Sequence, residues 1–252
     1  MNEQSKVAIV IGAARPWGLG RSTAMGLANK GMDIVVADVR DDWGKEAVDA
    51  IAAETGRRAV YVHTDIAQRD SVEAMVKRAT DEFGRIDVLV NSAAIVRNER
   101  LENMTDETFD QVMNINLRGT YLTCQAVVPT MRKQMSGRIV NVASGSAVQP
   151  LKGLGIYSAS KAGVIAFSKV IAWELARYGI VVLTVAPGNM VTQMGADEGP
   201  AEEDFTGEFR ASPFLRRLHP DEVAEVVVYG ATSESPVLAG QLLHANIGTY
   251  MV

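Results

Sequence analysis

Seven short runs rich in β-branched residues recur along this chain: "VAIVIG", "DIVVADV", "AVYVHTD", "IDVLVNSA", "GRIVNVAS", "IVVLTVAPG" and "GQLLHAN". Longer stretches with helical periodicity separate them, which is the rhythm of βαβ units, parallel strands joined by helices that cover the sheet. The runs are almost continuously apolar, as strands buried on both faces require. The expected fold is therefore α/β, a Rossmann-type doubly wound parallel sheet of about seven strands with helices on both faces. With 47% hydrophobic residues the chain can fill such a core. No Pro/Gly/Ser-rich linker or repeat breaks the series, so residues 1–252 are expected to form one domain. The least regular stretch, residues 188–214, is expected to cover a ligand crevice at the strand ends.

The first strand runs into "IGAARPWGLG" (Ile11 to Gly20). In a dinucleotide-binding turn one glycine permits the tight turn, a second lets the backbone approach pyrophosphate, and a third lets helix pack on strand. The anion then meets the N-terminal amides of the helix. Gly12, Gly18 and Gly20 have the residue type and order for these roles, and "RSTAMGLANKG" supplies the helix. Asp38 ends the second strand, where a carboxylate accepts hydrogen bonds from the adenosine ribose and repels a 2′-phosphate. NAD is therefore the expected cofactor. NADP is possible through Arg15 and Arg40, whose plainer reading is solvated surface charge.

Other functions find little support. The net charge is −5, and no run of Lys and Arg forms a patch for nucleic acid. The start, "MNEQSK", is polar and no apolar run is long enough for a bilayer, so a cytoplasmic protein without membrane contact is expected. Cys124 is the single cysteine and lies among apolar neighbours, while His63, His219 and His244 are far apart in sequence, so no disulfide or metal site is expected.

Further motifs follow in order: "NSAA" (Asn91 to Ala94), "NINLRG" with Asn116, "GRIVNVAS" closing on Ser144, "YSASK" with Tyr157 and Lys161, and "APGNMVT" with Thr192. With the "GAAR" and "GLG" that flank Pro16 and Trp17, this ordered set resembles the short-chain dehydrogenase/reductase family over essentially the whole chain. The resemblance implies cofactor contacts from Gly12, Arg15, Gly18, Leu19, Gly20 and Asp38 around the loop. It adds Asp65 and Ile66 at the adenine edge, and Asn91, Ala93, Tyr157, Lys161, Pro187, Gly188, Met190 and Thr192 toward the nicotinamide end. It implies a catalytic set of Asn116, Ser144, Tyr157 and Lys161, with Ser144, Gln149, Tyr157 and Met194 on the substrate. Pro16 and Trp17 widen the usual loop and are expected to bulge outward. Ile11 replaces a hydroxyl residue, Ser92 and Ala94 alter the Asn-Asn-Ala-Gly motif, and Asn246-Ile247 replaces an Asp-Gly pair near the end.

The chemistry fits these residue types. Hydride transfer at a carbinol carbon needs a proton moved on its oxygen, and a tyrosine of ordinary pKa, about 10, is a poor base alone. Lys161, four positions on along a helix, shares a face with Tyr157 and is expected to lower that value. Ser144 is placed to hydrogen-bond the substrate oxygen. By resemblance, Asn116 holds a helix irregularity and a water that serves Lys161. Singly, each residue also reads as an ordinary packing or capping residue. The expected activity is NAD(P)-dependent interconversion of a secondary alcohol and a ketone, with Tyr157 as acid/base. Enoyl reduction and a non-catalytic dinucleotide sensor stay open. The acidic residues Asp197, Glu198, Glu202, Glu203, Asp204 and Glu208 disfavour polyanionic substrates such as acyl-CoA. Met190, Met194, Phe205, Phe209 and Phe214 are expected in an apolar cover or pocket wall. The helices near Asn116 and Tyr157 carry more apolar surface than one core-facing stripe needs, so a homotetramer or homodimer is expected.

Overall fold

The computed structural model describes residues 5–190, 212–214 and 216–251. Its seven strands are β1 Val7–Ile11, β2 Asp33–Asp38, β3 Ala59–His63, β4 Val88–Asn91, β5 Gly137–Val142, β6 Ile180–Pro187 and β7 Leu242–Ala245. They form one sheet in the order β3-β2-β1-β4-β5-β6-β7, parallel throughout. All seven expected runs are strands of this sheet. The helices are α1 Leu19–Asn29, α2 Asp41–Thr55, α3 Arg69–Phe83, α4 Asp106–Met113, α5 Gly119–Gln134, α6 Gly155–Leu175 and α7 Pro220–Thr232.

Alternation along each strand divides the core between the two faces. Ala8 and Val10 of β1 join Ile34, Val36, Leu27, Ile51 and Val227 under α1, α2 and α7. Val7, Ile9 and Ile11 join Val35, Leu89, Ile139, Met75, Leu122 and Leu175 under α3, α5 and α6. Each fully buried Ile or Leu contributes about 1.5–3 kcal/mol relative to exposure. The central strands β1, β4 and β6 are buried along their whole length, which is why their sequences lack polar alternation, while the edge strands β3 and β7 stay partly exposed.

β1 lies between β2 and β4, so the chain order reverses at β1 and opens a crevice beyond the strand ends. Gly12, Asp38, Asn91 and Ser144 all lie at or just past the carboxyl ends of their strands, facing that crevice's rim. Residues 191–211 of the expected cover lie outside the described residues, and with them Thr192, Met194, Phe205, Phe209 and the six acidic residues. Met190 bridges to Leu218, and Phe214 is exposed. Among the described residues, no helix is long and apolar enough to cross a membrane.

Candidate active site

The glycine loop is built by close approach. Gly12 has φ +77°, and a Cβ there would lie 2.8 Å from Cα and N of Ala93. A Cβ on Gly20 would collide with the carbonyl of Gly12, its carbon only 2.7 Å away. Strand and helix therefore meet with no room for a side chain on either partner. Gly18 stands at the N-cap of α1, where no side chain caps the helix. The amides of its first turn, at Leu19, Gly20 and Arg21, have no intrahelical partner and form an anion cradle.

Asp38 is drawn into this loop. Its Oδ2 accepts from the N–H of Ala14 at 3.0 Å, and Oδ1 from the N–H groups of Val39 and Arg40 at 2.8 and 3.2 Å. The Pro16–Trp17 insertion departs from the expected outward bulge. The N–H of Gly18 closes the turn onto the Arg15 carbonyl at 3.1 Å, and Trp17 folds back edge-on against Trp43 of α2, centroids 5.8 Å apart. The guanidinium carbons of Arg15 and Arg40 lie 5.2 and 4.1 Å from the Trp43 ring centroid. The two arginines thus stand over one aromatic ring near Asp38, Arg15 half-buried and Arg40 still exposed to solvent. Farther along the rim, Asp65 Oδ1 accepts from the N–H of Ala67 at 2.9 Å, and Ile66 is buried against Gly119.

The side chain of Asn91 turns inward. Its Oδ1 accepts from Thr123 Oγ1 at 2.7 Å and its Nδ2 donates to Asn141 Oδ1 at 2.8 Å, with Cys124 Sγ at 3.5 Å. Asn141 Nδ2 donates onward to Ser168 Oγ at 2.8 Å. The side chain is consumed inside the sheet, which leaves its backbone for the crevice. Burial pushes the Cys124 thiol up to about 12, so it is an inert packing group.

Asn116 sits in a π-helical turn, Asn114–Arg118, that joins α4 to α5, so the helix begins well before this residue. Its Oδ1 accepts from the N–H of Ile95 and its Nδ2 donates to the Ile95 carbonyl, both at 2.9 Å. Nδ2 also donates to Ser160 Oγ at 3.1 Å, and Ser160 Oγ donates to the Tyr157 carbonyl at 2.7 Å. Asn116 therefore clamps the loop after β4 to the first turn and a half of α6, which carries Tyr157 and Lys161.

Ser144 lies two residues past β5 and caps a short 3-10 turn, Gly145–Ala147. Its Oγ accepts from the N–H and the Oγ of Ser146 at 3.2 and 3.0 Å. With both acceptor positions filled, its own proton is the group left to donate. Gln149 follows on the same turn, its N–H on the Gly145 carbonyl at 2.9 Å. Tyr157 is 9% exposed and Lys161 2%. Lys161 Nζ donates to the Val142 carbonyl at 2.8 Å. Burial pulls the Lys161 ammonium down to about 8. Burial also raises the Tyr157 hydroxyl above its ordinary value, against a smaller lowering by the Ser144 side chain. Desolvation of the phenolate is the larger of these two effects, and the expected lowering by Lys161 is not among them.

At the far side, Pro187 ends β6 opposite Ala245, and the N–H of Gly188 donates to the Ala245 carbonyl at 2.8 Å. A Cβ on Gly188 would stand 2.9 Å from Cα of Asn246, so this strand end is also pressed against neighbouring backbone. Sequence reasoning missed Trp43 and Tyr250, because nothing in local spacing ties them to the motifs they touch, and passed over Ser160, which stands inside "YSASK" three residues from Tyr157.

A family model described as short chain dehydrogenase matches residues 6–203. The chain is 38% identical over 250 residues, 98% of each chain, to 3-oxoacyl-[acyl-carrier-protein] reductase of a Synechocystis strain. It is 36% identical over 252 residues, the whole of both chains, to the protein of that description from Vibrio harveyi. It is 37% identical over 246 residues, 97% of this chain and 96% of the other, to a (2S)-[(R)-hydroxy(phenyl)methyl]succinyl-CoA dehydrogenase subunit of Thauera aromatica.

Proposed function

Because the chain belongs to the short-chain dehydrogenase/reductase family and is an oxidoreductase of that family, we propose that it interconverts a ketone and a secondary alcohol, with Tyr157 as the proton-transferring group. The observation that carries this reading is the meeting of Ser144, Tyr157 and Lys161 at one buried strand end. When bound, NAD(P) supplies or accepts the hydride. The residues fit such a group: Gly12 and Gly20 leave no side chain where strand meets helix, and the N-terminus of α1, which no side chain caps, follows directly on that loop. Gly12, Arg15, Gly18, Leu19, Gly20, Asp38, Asp65, Ile66, Ala93 and the backbone of Asn91 would hold the dinucleotide, with Lys161, Pro187, Gly188, Met190 and Thr192 toward its nicotinamide end.

In the reductive direction, the Ser144 hydroxyl and the Tyr157 hydroxyl both donate to the ketone oxygen, and Tyr157 passes its proton as the alcohol forms. The protonated Tyr157 hydroxyl is the donor in this direction, and its phenolate is the acceptor in the reverse one. Lys161 holds a positive charge behind the tyrosine, and Asn116 fixes the helix that bears both.

The relatives support one substrate class, since their names carry an acyl-carrier-protein or CoA group. We assign a 3-oxoacyl thioester to this chain, against the weaker sequence argument from the acidic stretch. An open groove of about 460 Å³ beside the first turn of α6 is lined by Leu101, Met104, Leu151 and Ile156 together with the charged Glu99, Arg100, Glu102 and Lys152, and its apolar side is the proposed wall for an acyl chain. Gln149 and Met194 are the proposed further substrate contacts. Asp38 favours NAD, and Arg15 and Arg40 on Trp43 admit NADP. The proposal includes one domain over residues 1–252 with a substrate cover at 188–214, a cytoplasmic location and a homotetramer or homodimer.

The test is reduction of S-acetoacetyl-N-acetylcysteamine followed at 340 nm with NADH and NADPH. Wild type is expected to turn over, and Tyr157→Phe to fall about 10³-fold with its fold and cofactor affinity kept. Near-normal turnover of that variant would remove Tyr157 from the mechanism. Reduction of the crotonyl thioester in place of the ketone would replace this reading by enoyl reduction.

A further inference from the structure

The segment after β7 turns back over the site, organised by the buried Asn246. Its Nδ2 donates to the Tyr250 carbonyl at 2.7 Å, its Oδ1 accepts from the N–H of Gly248 at 2.9 Å, and its carbonyl accepts from Thr249 Oγ1 at 2.6 Å. The turn holds Ile247 at φ +43°. A β-branched residue rarely adopts that region, so the geometry is imposed by the contacts around it.

What the turn delivers is the Tyr250 ring. The ring lies on the main chain of Gly145, where a Cβ would stand only 2.8 Å from both Cζ and Oη. Tyr250 Oη donates to the Ala186 carbonyl at 3.2 Å and lies 3.3 Å from His244 Nδ1, and the two rings meet edge-on at 5.4 Å. The supported residue is a hub: the Gly145 carbonyl accepts from the N–H groups of Val148 and Gln149, and Ser144 precedes it. A glycine left without this contact regains the backbone freedom of its type.

We propose that Tyr250 is a positioning residue for Ser144, its ring being the support that fixes the turn from Ser144 to Gln149 in its working orientation. The inference rests on the role assigned above to Ser144. The ring makes the larger part of this contact, with Oη beside it. A misplacement of about 1 Å in a donor of this kind can cost on the order of a hundred-fold in rate.

The experiment compares Tyr250→Phe, Tyr250→Leu and Gly145→Ala by steady-state kinetics on S-acetoacetyl-N-acetylcysteamine, by cofactor titration, and by amide hydrogen exchange without substrate. Tyr250→Phe is expected to keep kcat within about two-fold. Tyr250→Leu should lose on the order of ten- to a hundred-fold in kcat with KM and cofactor Kd little changed. Its Val148 and Gln149 amides should exchange about ten-fold faster, while those of Ile34 and Val35 stay protected. Gly145→Ala, which disturbs the same contact from the other side, should show the same pair of effects. Combining it with Tyr250→Leu should cost less than the two losses together. Unchanged exchange of the turn in Tyr250→Leu, or unchanged kcat, overturns the proposal. If wild type reduces no ketone, the functional reading fails, and the exchange measurement still decides whether Tyr250 holds the turn.

Discussion

Lys161 Nζ donates to the Val142 carbonyl at 2.8 Å, tying the middle of α6 to the strand that leads into Ser144. The ammonium is buried with that carbonyl as its hydrogen-bond partner, and burial pulls it from 10.5 to about 8. Between those two values the unfolded chain binds more protons than the folded one. Stability therefore rises with pH across that window, and the cost, about 3 kcal/mol, is fully present below about 8. Lys161→Met removes the charge and orphans one carbonyl, which returns part of the gain. The variant should be inactive yet about 1–3 kcal/mol more stable than wild type at pH 7, and the gap should close toward pH 10.5. Urea titrations at several pH values measure this. A less stable variant at pH 7 would mean that the ammonium is compensated.

Asp38→Ala removes acceptors for three loop amides as well as for a ribose. NADH affinity should fall about ten-fold or more, since hydrogen bonds to a charged acceptor are worth about 1.5–3 kcal/mol each. NADPH affinity should fall less, because repulsion of the 2′-phosphate disappears at the same time. Fluorescence titration of both cofactors tests the pair. A wild type that binds NADPH more tightly than NADH would show that Arg15 and Arg40 outweigh Asp38.

Deleting Pro16 and Trp17 restores the shorter loop and strips Trp43 of its edge-on partner. Proline has no N–H to offer an anion, so the cradle amides survive the deletion. The shortened protein should fold and bind dinucleotide with a modest loss of affinity, read by calorimetry. Complete loss of binding in a folded variant would assign the insertion to the phosphate cradle itself.

Trp173 is 89% exposed and Val170 57% on the outer face of α6, in line with the exposed Ala159, Ala162 and Ala166. That stripe is the surface expected to pair between copies. Trp173→Glu should shift light scattering at micromolar concentration toward smaller species. An unchanged mass would move the contact elsewhere, and a wild-type monomer would remove it.

The strands were legible because a sheet covered on both faces needs runs such as "IVVLTVAP", which few other structures tolerate in a water-soluble context. The glycine loop was legible because Gly20 and Gly12 leave no alternative residue at their contact. Orientation was less so. Asn91 has the residue type of a ligand contact, yet its amide turns into the sheet toward Thr123 and Asn141, partners far off in sequence. The sign of the Tyr157 shift was also hidden, since it depends on burial and not on the four-residue spacing to Lys161. Trp17 finds Trp43, and Tyr250 finds Gly145, across separations that no local pattern encodes.

The chain of side chains from Thr123 through Asn91 and Asn141 to Ser168 has an evolutionary consequence. Thr123 and Ser168 also reach backbone carbonyls of their own helices, but Asn91 and Asn141 are matched to each other, so losing one strands the other's buried amide at a cost of about 1–3 kcal/mol, while exchanging the set for apolar groups of like shape approaches neutrality. Single-step drift at Asn91 or Asn141 therefore runs uphill although the distant alternative lies level, and the two should be inherited as a pair. The network works as a ratchet on the lineage, preserved less by what it adds to the fold than by the absence of a gradual way out.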